Sequence, residues 1–255
     1  MPNLYISSNR PDPLTYSQRA PFFAAFEEDL NQYVRFMYII KRIRVLFKQV
    51  DKSACNSMIL NVGAGPGTLN SYLVREPPVG SITNVEINSN FKIESLVVAD
   101  GSRLPFQNNT FDFIVSSDVL EHVEALRRAD FVKELLRCSK FGFVITFSKL
   151  HKDHVFNGGI KVFEKTWGTP FPAWYLEHNQ TDMIDICDLK NLLKESGCRR
   201  IEFKPLVGVF TLFFTGLERR MPFKIFRFLS NVTGYLTTRI VDPLQCYGFG
   251  VTALK

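Results

Sequence analysis

The chain has 255 residues, 45% of them hydrophobic and 22% charged, which is an ordinary globular composition for one large domain or one domain with an appendage. Five cysteines (Cys55, Cys138, Cys187, Cys198, Cys246) include no C-x-x-C pair, which excludes a zinc or disulfide framework and suits reduced thiols in a cytoplasmic protein. The net charge of +6 is uneven: residues 198–255 hold nine Lys/Arg against three Asp/Glu, and the rest of the chain is neutral. Such a basic segment draws anionic partners.

The N-terminal residues "MPNLYISSNRPDP" lack the apolar core of a signal peptide. The longest uncharged apolar run, 206–217, is shorter than the roughly 20 residues of a spanning helix, so no transmembrane segment is expected. Residues 1–20 read as irregular. From about 21 to 50 apolar residues recur at spacings of three and four (Phe26, Leu30, Tyr33, Met37, Ile40), which predicts one long helix or two short ones. Acids come early in this stretch and bases late, as the helix dipole favours.

An alternating pattern follows. "MILNV" (58–62) predicts a strand and 68–75 a short helix. "ITNVEI" (82–87), "SLVVAD" (95–100) and "FDFIVSSDV" (111–119) predict strands, then a helix over 122–140 with Ala125, Ala129, Val132 and Leu136 on its buried stripe. A strand at 141–148 is followed by an aperiodic stretch, 149–180, long enough to suggest a functional loop. A helix at 182–197, a strand at 198–205, an apolar and basic stretch at 206–244 and a closing strand at 246–254 complete the chain. Strands alternating with helices imply an α/β fold with a mostly parallel sheet and covered faces.

Between the first strand and the first helix lies Gly63-Ala64-Gly65-Pro66-Gly67. A dinucleotide fingerprint would place glycine at position 68, where Thr68 stands. The loop alone fits either a ligand site at a helix N-terminus or a plain tight turn. Glu86 ends the second strand about 20 residues on, where a carboxylate can accept ribose hydroxyl protons. Asp100 ends the third strand, beside a free N–H, and can read the amine and ring nitrogen of adenine. The fourth strand ends in "SSDVLEHV". Ligands bind at such carboxyl ends of strands in open α/β sheets.

The segments "NVGAGPG", "NVEIN", "VVADGSRLPF", "FDFIVSSDVLEHV" and "YLEHNQTDMIDICDLKNLLKESGCRRIEF" are similar, in order and spacing, to class I S-adenosylmethionine-dependent methyltransferases of the type 11 group. The resemblance covers about residues 55–205 and the final strand. It implies a Rossmann-like fold whose seven-stranded, mostly parallel sheet has an antiparallel last strand inserted beside the fifth. It implies S-adenosylmethionine as cofactor. Gly63, Ala64 and Gly65 would pass under its methionine part, Glu86 would hold the ribose, and Asp100 and Gly101 would read adenine. Ile87 would pack on the adenine ring, and Ser117 would lie near the methionine amine. Asn61, also expected to bind the cofactor, stands where the family prefers an acid; it can accept a hydrogen bond but lacks the charge to pair with the cofactor's ammonium group. Only about eight residues separate strands two and three, so the usual crossover helix is expected to shrink to a loop. Relatives with this short crossover suggest polysaccharide or glycan modification.

A hydroxyl acceptor would need a general base. His122 and His178 are the first candidates, ahead of His151 and His154, and each is weighed against a packed or solvated histidine. Asp118, Glu121 and His122 resemble a cation-binding E-x-x-E-H, but a helix cap by Asp118 explains them better, and no metal is expected. The reading divides the chain into an N-terminal segment with a helical cap (1–54) and a methyltransferase domain (55–255) with a lid-like insertion at 206–244. That insertion could meet a lipid-linked substrate or the inner membrane face, or simply pack on the core. The expected acceptor is a small molecule or glycan hydroxyl. A cofactor-free binding module on the same fold is the alternative, and a nicotinamide oxidoreductase or a nucleic-acid methylase is disfavoured.

Overall fold

The computed structural model describes residues 30–51, 53–74, 79–148, 184–208 and 246–255. The aperiodic stretch, most of the 206–244 insertion, His151, His154 and His178 lie outside these.

Helix α1 (Leu30–Gln49) comes first, then β1 (Met58–Val62), α2 (Thr68–Leu73), β2 (Ser81–Glu86), β3 (Leu96–Val98) and β4 (Phe111–Ser117). Helix α3 (Arg128–Cys138) leads into β5 (Ser139–Ser148), and α4 (Ile186–Glu195), β6 (Arg200–Gly208) and β7 (Cys246–Leu254) complete the set. The strands form one sheet in the order β3-β2-β1-β4-β5-β7-β6. The pairs from β3 to β5 are parallel, and β7 runs antiparallel between β5 and β6. This is the Rossmann-like arrangement the resemblance implies, with the last strand inserted beside the fifth. No helix joins β2 to β3, as the short spacing requires.

The sheet separates two apolar layers because alternate residues of a strand face opposite sides. On one side α1 sets Phe36, Ile39, Ile43 and Leu46 against Ile59, Phe113, Val115 and Val144. On the other, α3 sets Phe131, Val132 and Leu135 against Leu60, Ile114, Phe143 and Ile145, with Leu189 and Leu193 of α4 in the same layer. The central strand β4 is buried on both faces for six of its seven residues, Asp112 and Ser116 among them.

Helix α1 lies very close to β7. A Cβ placed on Gly250 would stand 2.3 Å from the Tyr38 ring, so only glycine admits the ring there. The Tyr38 hydroxyl shares a 3.0 Å hydrogen bond with Thr252, and burial pushes its pKa up to about 12. One turn on, Arg42 Nη2 donates to Glu202 at 2.7 Å and its Nε to Thr252 at 3.1 Å. Strand β7 starts beside Ser148, at the carboxyl end of β5, so this order of contacts puts the N-terminus of α1 at the carboxyl edge of the parallel strands.

The helix expected at 122–140 is a correction. Leu120–His122 and Ala125–Arg127 are single 3-10 turns, Val123 and Glu124 are extended, and α3 starts at Arg128. Tertiary bonds explain the break: Arg128 Nε donates to the Val123 carbonyl at 3.1 Å, and Arg127 reaches across to Asp100. Asp118 caps no helix. Its backbone is left-handed, with φ 58°, and its carboxylate pairs with Arg35 of α1. His122 therefore closes a 3-10 turn instead of opening a helix.

Candidate active site

Parallel register brings the site together. Val62 of β1 lies opposite Val85 of β2, and Glu86 opposite Val98 of β3, so the ends of three strands share one edge. At that edge the chain turns from β1 into the glycine loop. Gly63 and Ala64 both donate to the Val85 carbonyl, at 2.8 and 3.1 Å. Gly63 has φ 70°, and a Cβ there would meet Val119 Cγ2 at 2.1 Å, so glycine is required for both conformation and space.

Glu86 ties the loop to β2: its Oε2 accepts from Gly65 N at 2.8 Å and its Oε1 from Ile87 N at 2.9 Å. Asp100 is held from two sides. Its Oδ1 accepts from Ser102 N at 2.8 Å, and its Oδ2 accepts from Arg127 Nη2 at 2.6 Å. The Ser102 N–H, helped by the Arg127 guanidinium, holds the Asp100 carboxyl below the usual aspartate range.

These groups surround a cavity of about 290 Å³. Val62, Val85, Ala99 and Phe131 give it apolar surface. Gly63, Glu86, Asp100 and Gly101 line it, and so do Ile87 and His122. Ile87 is 69% exposed at the rim. Ala64, Gly65 and Ser117 do not line it. Ser117 Oγ instead shares a 2.9 Å bond with Thr146 Oγ1 at the ends of β4 and β5.

Asn61 is also outside the cavity, and its position answers the question raised by its missing charge. It faces the α1 side of the sheet, 1% exposed, directly opposite Asn84 in the β1–β2 register. Its Nδ2 donates to Asn70 Oδ1 at 3.0 Å and to Asn84 Oδ1 at 3.3 Å. Asn70 Nδ2 donates to Asn84 Oδ1 at 3.0 Å, and Asn84 Nδ2 to the Glu94 carbonyl at 2.8 Å. Three amides thus tie β1, α2 and β2 beneath the glycine loop.

Sequence reasoning missed Val119, Val123, Glu124, Arg127 and Phe131 as wall residues. A helix spanning 122–140 would have carried Val123, Glu124 and Arg127 elsewhere; the break at 123–124 lays them along the cavity. The acids of the D-x-x-E-H motif face a cation of the protein itself: Arg35 pairs with Asp118 and stands 3.9 Å from Glu121. Among the described residues, no three His, Cys, Asp or Glu side chains gather as a metal site.

The cavity suits a nucleoside ligand. Glu86 and Asp100 present acceptors to ribose hydroxyls and an exocyclic amine, and apolar side chains between them can cover a ring. Residues 60–146 match the family described as a methyltransferase domain. Together with the sheet order, this gives the chain a class I methyltransferase fold that is similar to that family over the matched segment. It is 26% identical over 147 residues to an uncharacterized protein of Methanocaldococcus jannaschii, covering 54% of this chain and 64% of that one. It is 30% identical over 118 residues to the malonyl-[acyl-carrier protein] O-methyltransferase of Geobacter sulfurreducens, covering 41% and 44%. The chain thus spans less than two thirds of the length of these relatives. The Haemonchus contortus phosphoethanolamine N-methyltransferase 2, solved with S-adenosyl-L-methionine, shares the fold with a TM-score of 0.53 at 15% identity, covering 84% of this chain and 52% of that one.

Proposed function

We propose that the protein is an S-adenosylmethionine-dependent methyltransferase whose acceptor is a hydroxyl of a small molecule or glycan. The observation that carries the reading is the convergence of Glu86, Asp100 and the glycine loop on one cavity at the carboxyl edge of the sheet. When bound, S-adenosylmethionine supplies a methyl group on a positively charged sulfur, open to in-line displacement. The residues of the chain hold and orient. Glu86 takes the ribose hydroxyls while keeping Gly65 in place, and Asp100 takes the adenine amine while Ser102 and Arg127 keep it ionised. Ile87 closes over the ring from the rim. Val62, Val85 and Phe131 exclude water. Much of the rate then comes from bringing acceptor and methyl into line.

His122, exposed on the cavity wall, is a candidate to take the hydroxyl proton, with His178 as the second candidate. Support for a hydroxyl acceptor is the short β2–β3 crossover and these two histidines. A cytoplasmic location belongs to the same reading, as does contact of 206–244 with a lipid-linked acceptor or membrane surface. No helix among the described residues is long and apolar enough to cross a membrane. The deciding experiment is calorimetry with S-adenosylhomocysteine. Saturable one-site binding is expected; no heat at millimolar ligand would overturn the cofactor assignment.

A further inference from the structure

Arg35 is an unusual residue for a helix that packs an apolar face on a sheet. It is 3% exposed, and its guanidinium ties α1 to the turn after β4 and to the end of β5. It pairs with Asp118 just past β4 and lies 3.9 Å from Glu121 in the next turn. Its Nη2 donates to Ser148 Oγ at 2.8 Å, at the end of β5. Glu121, 2% exposed, completes the ring by accepting from Ser148 N at 2.8 Å. Glu121 is buried and Asp118 is partly exposed, and the buried Arg35 guanidinium lies between the two carboxylates.

The segment held in this way is the one that forms the cavity wall. Between Asp118 and Glu121 lies Val119, packed against Gly63 so closely that no Cβ fits. Directly after Glu121 comes His122, and Val123 and Glu124 continue along the cavity. The turn has no regular helix to stiffen it, and Asp118 sits in a left-handed conformation that few non-glycine residues adopt. Its placement depends on what its side chains grip.

We propose that Arg35 is a positioning residue of the cofactor site: through Asp118 and Glu121 it fixes the 118–122 turn, and so sets Val119 and His122 against the glycine loop. Helix α1, which contributes no residue to the cavity wall, thereby controls its shape by charge. This inference rests on the cofactor reading above only for its binding test.

The test compares Arg35→Met, Arg35→Lys and Arg42→Met. Arg42 lies on the same helix with an ion pair of its own, to Glu202, and neither residue lines the cavity. S-adenosylhomocysteine affinity is expected to fall by about tenfold in Arg35→Met. It should recover in part in Arg35→Lys and stay at the wild-type value in Arg42→Met. Histidine-ring NMR gives a readout that needs no ligand: Arg35→Met shifts the His122 signals, assigned with His122→Gln, and Arg42→Met leaves them in place. Wild-type affinity and unmoved His122 signals in Arg35→Met would overturn the proposal. Equal losses in Arg35→Met and Arg42→Met would do the same, since they would mark general loosening. If Arg35→Met does not fold, Arg35→Lys decides through the same two measurements. If the wild type binds no S-adenosylhomocysteine, the cofactor reading fails, and the His122 signals alone decide the role of Arg35.

Discussion

At the scale of single residues, Asp100 bears on the cavity and Asn61 on the fold beneath it. Under the proposed function Asp100 accepts from the adenine amine, and its removal would also take away the carboxylate partner of Arg127. Asp100→Ala should weaken S-adenosylhomocysteine binding by roughly 10- to 100-fold, the worth of a hydrogen bond to a charged group. Its depressed pKa also carries a sign. The folded state holds the ionised form more tightly than the unfolded chain does, so the contribution to stability is present above the unfolded value, near pH 4, and is lost as pH falls through the lower folded value. Urea unfolding at a series of pH values should show the gap between wild type and Asp100→Asn closing below about pH 4. Asn61 bears on a different question. Asn84 is locked with its oxygen toward Asn61, because its nitrogen donates to the Glu94 carbonyl. An aspartate at 61 would set a buried carboxylate against two amide oxygens. Asn61→Asp is therefore expected to destabilise the fold by about 1–3 kcal/mol at neutral pH, although it restores the acid that relatives prefer. An Asn61→Asp variant as stable as wild type in chemical denaturation would contradict the network.

At the scale of elements, α1 matters more than its place before the first strand suggests. It covers one face of the sheet and is keyed to β7 by Tyr38 over Gly250, with Arg42 below and Arg35 above. Gly250→Ala should cost about 1–3 kcal/mol through overpacking. Tyr38→Ala should cost more alone, yet the pair should be less harmful than the sum, because the clash is removed with the ring. Denaturation midpoints of the two singles and the double check this. The helical periodicity of α1 was legible from Leu30 onward. Its partner was not, since the contact is between residues more than 200 positions apart and depends on β7 being inserted between β5 and β6. The turn after β4 shows the opposite failure. Apolar spacing over 122–140 fits a single helix, but Arg127 and Arg128 make side-chain bonds to Asp100 and the Val123 carbonyl that local pattern cannot reveal.

At the scale of the whole molecule, the parallel strands present their carboxyl ends to the cavity, and the excess positive charge lies entirely in residues 198–255. If this segment meets an anionic surface, co-sedimentation with phosphatidylglycerol vesicles should be strong at low salt and should fade as salt rises, because screening shortens the reach of exposed charge. No sedimentation at low ionic strength would remove membrane contact from the proposed function.

The amino-acid sequence by itself determined the α/β order, the short β2–β3 crossover, the glycine turn and the two acids at strand ends. These follow from short-range periods, backbone-special residues and chain length, all of which are local. Only the tertiary structure decided that Asn61 joins an amide network instead of facing the cavity, that Arg127 meets Asp100, and that Asp118, instead of capping a helix, joins Glu121 around Arg35. Each of those depends on which side of the sheet a side chain takes and which distant residue waits there. A strand pattern sets the alternation, but the partner on either face is chosen only when the whole sheet has assembled.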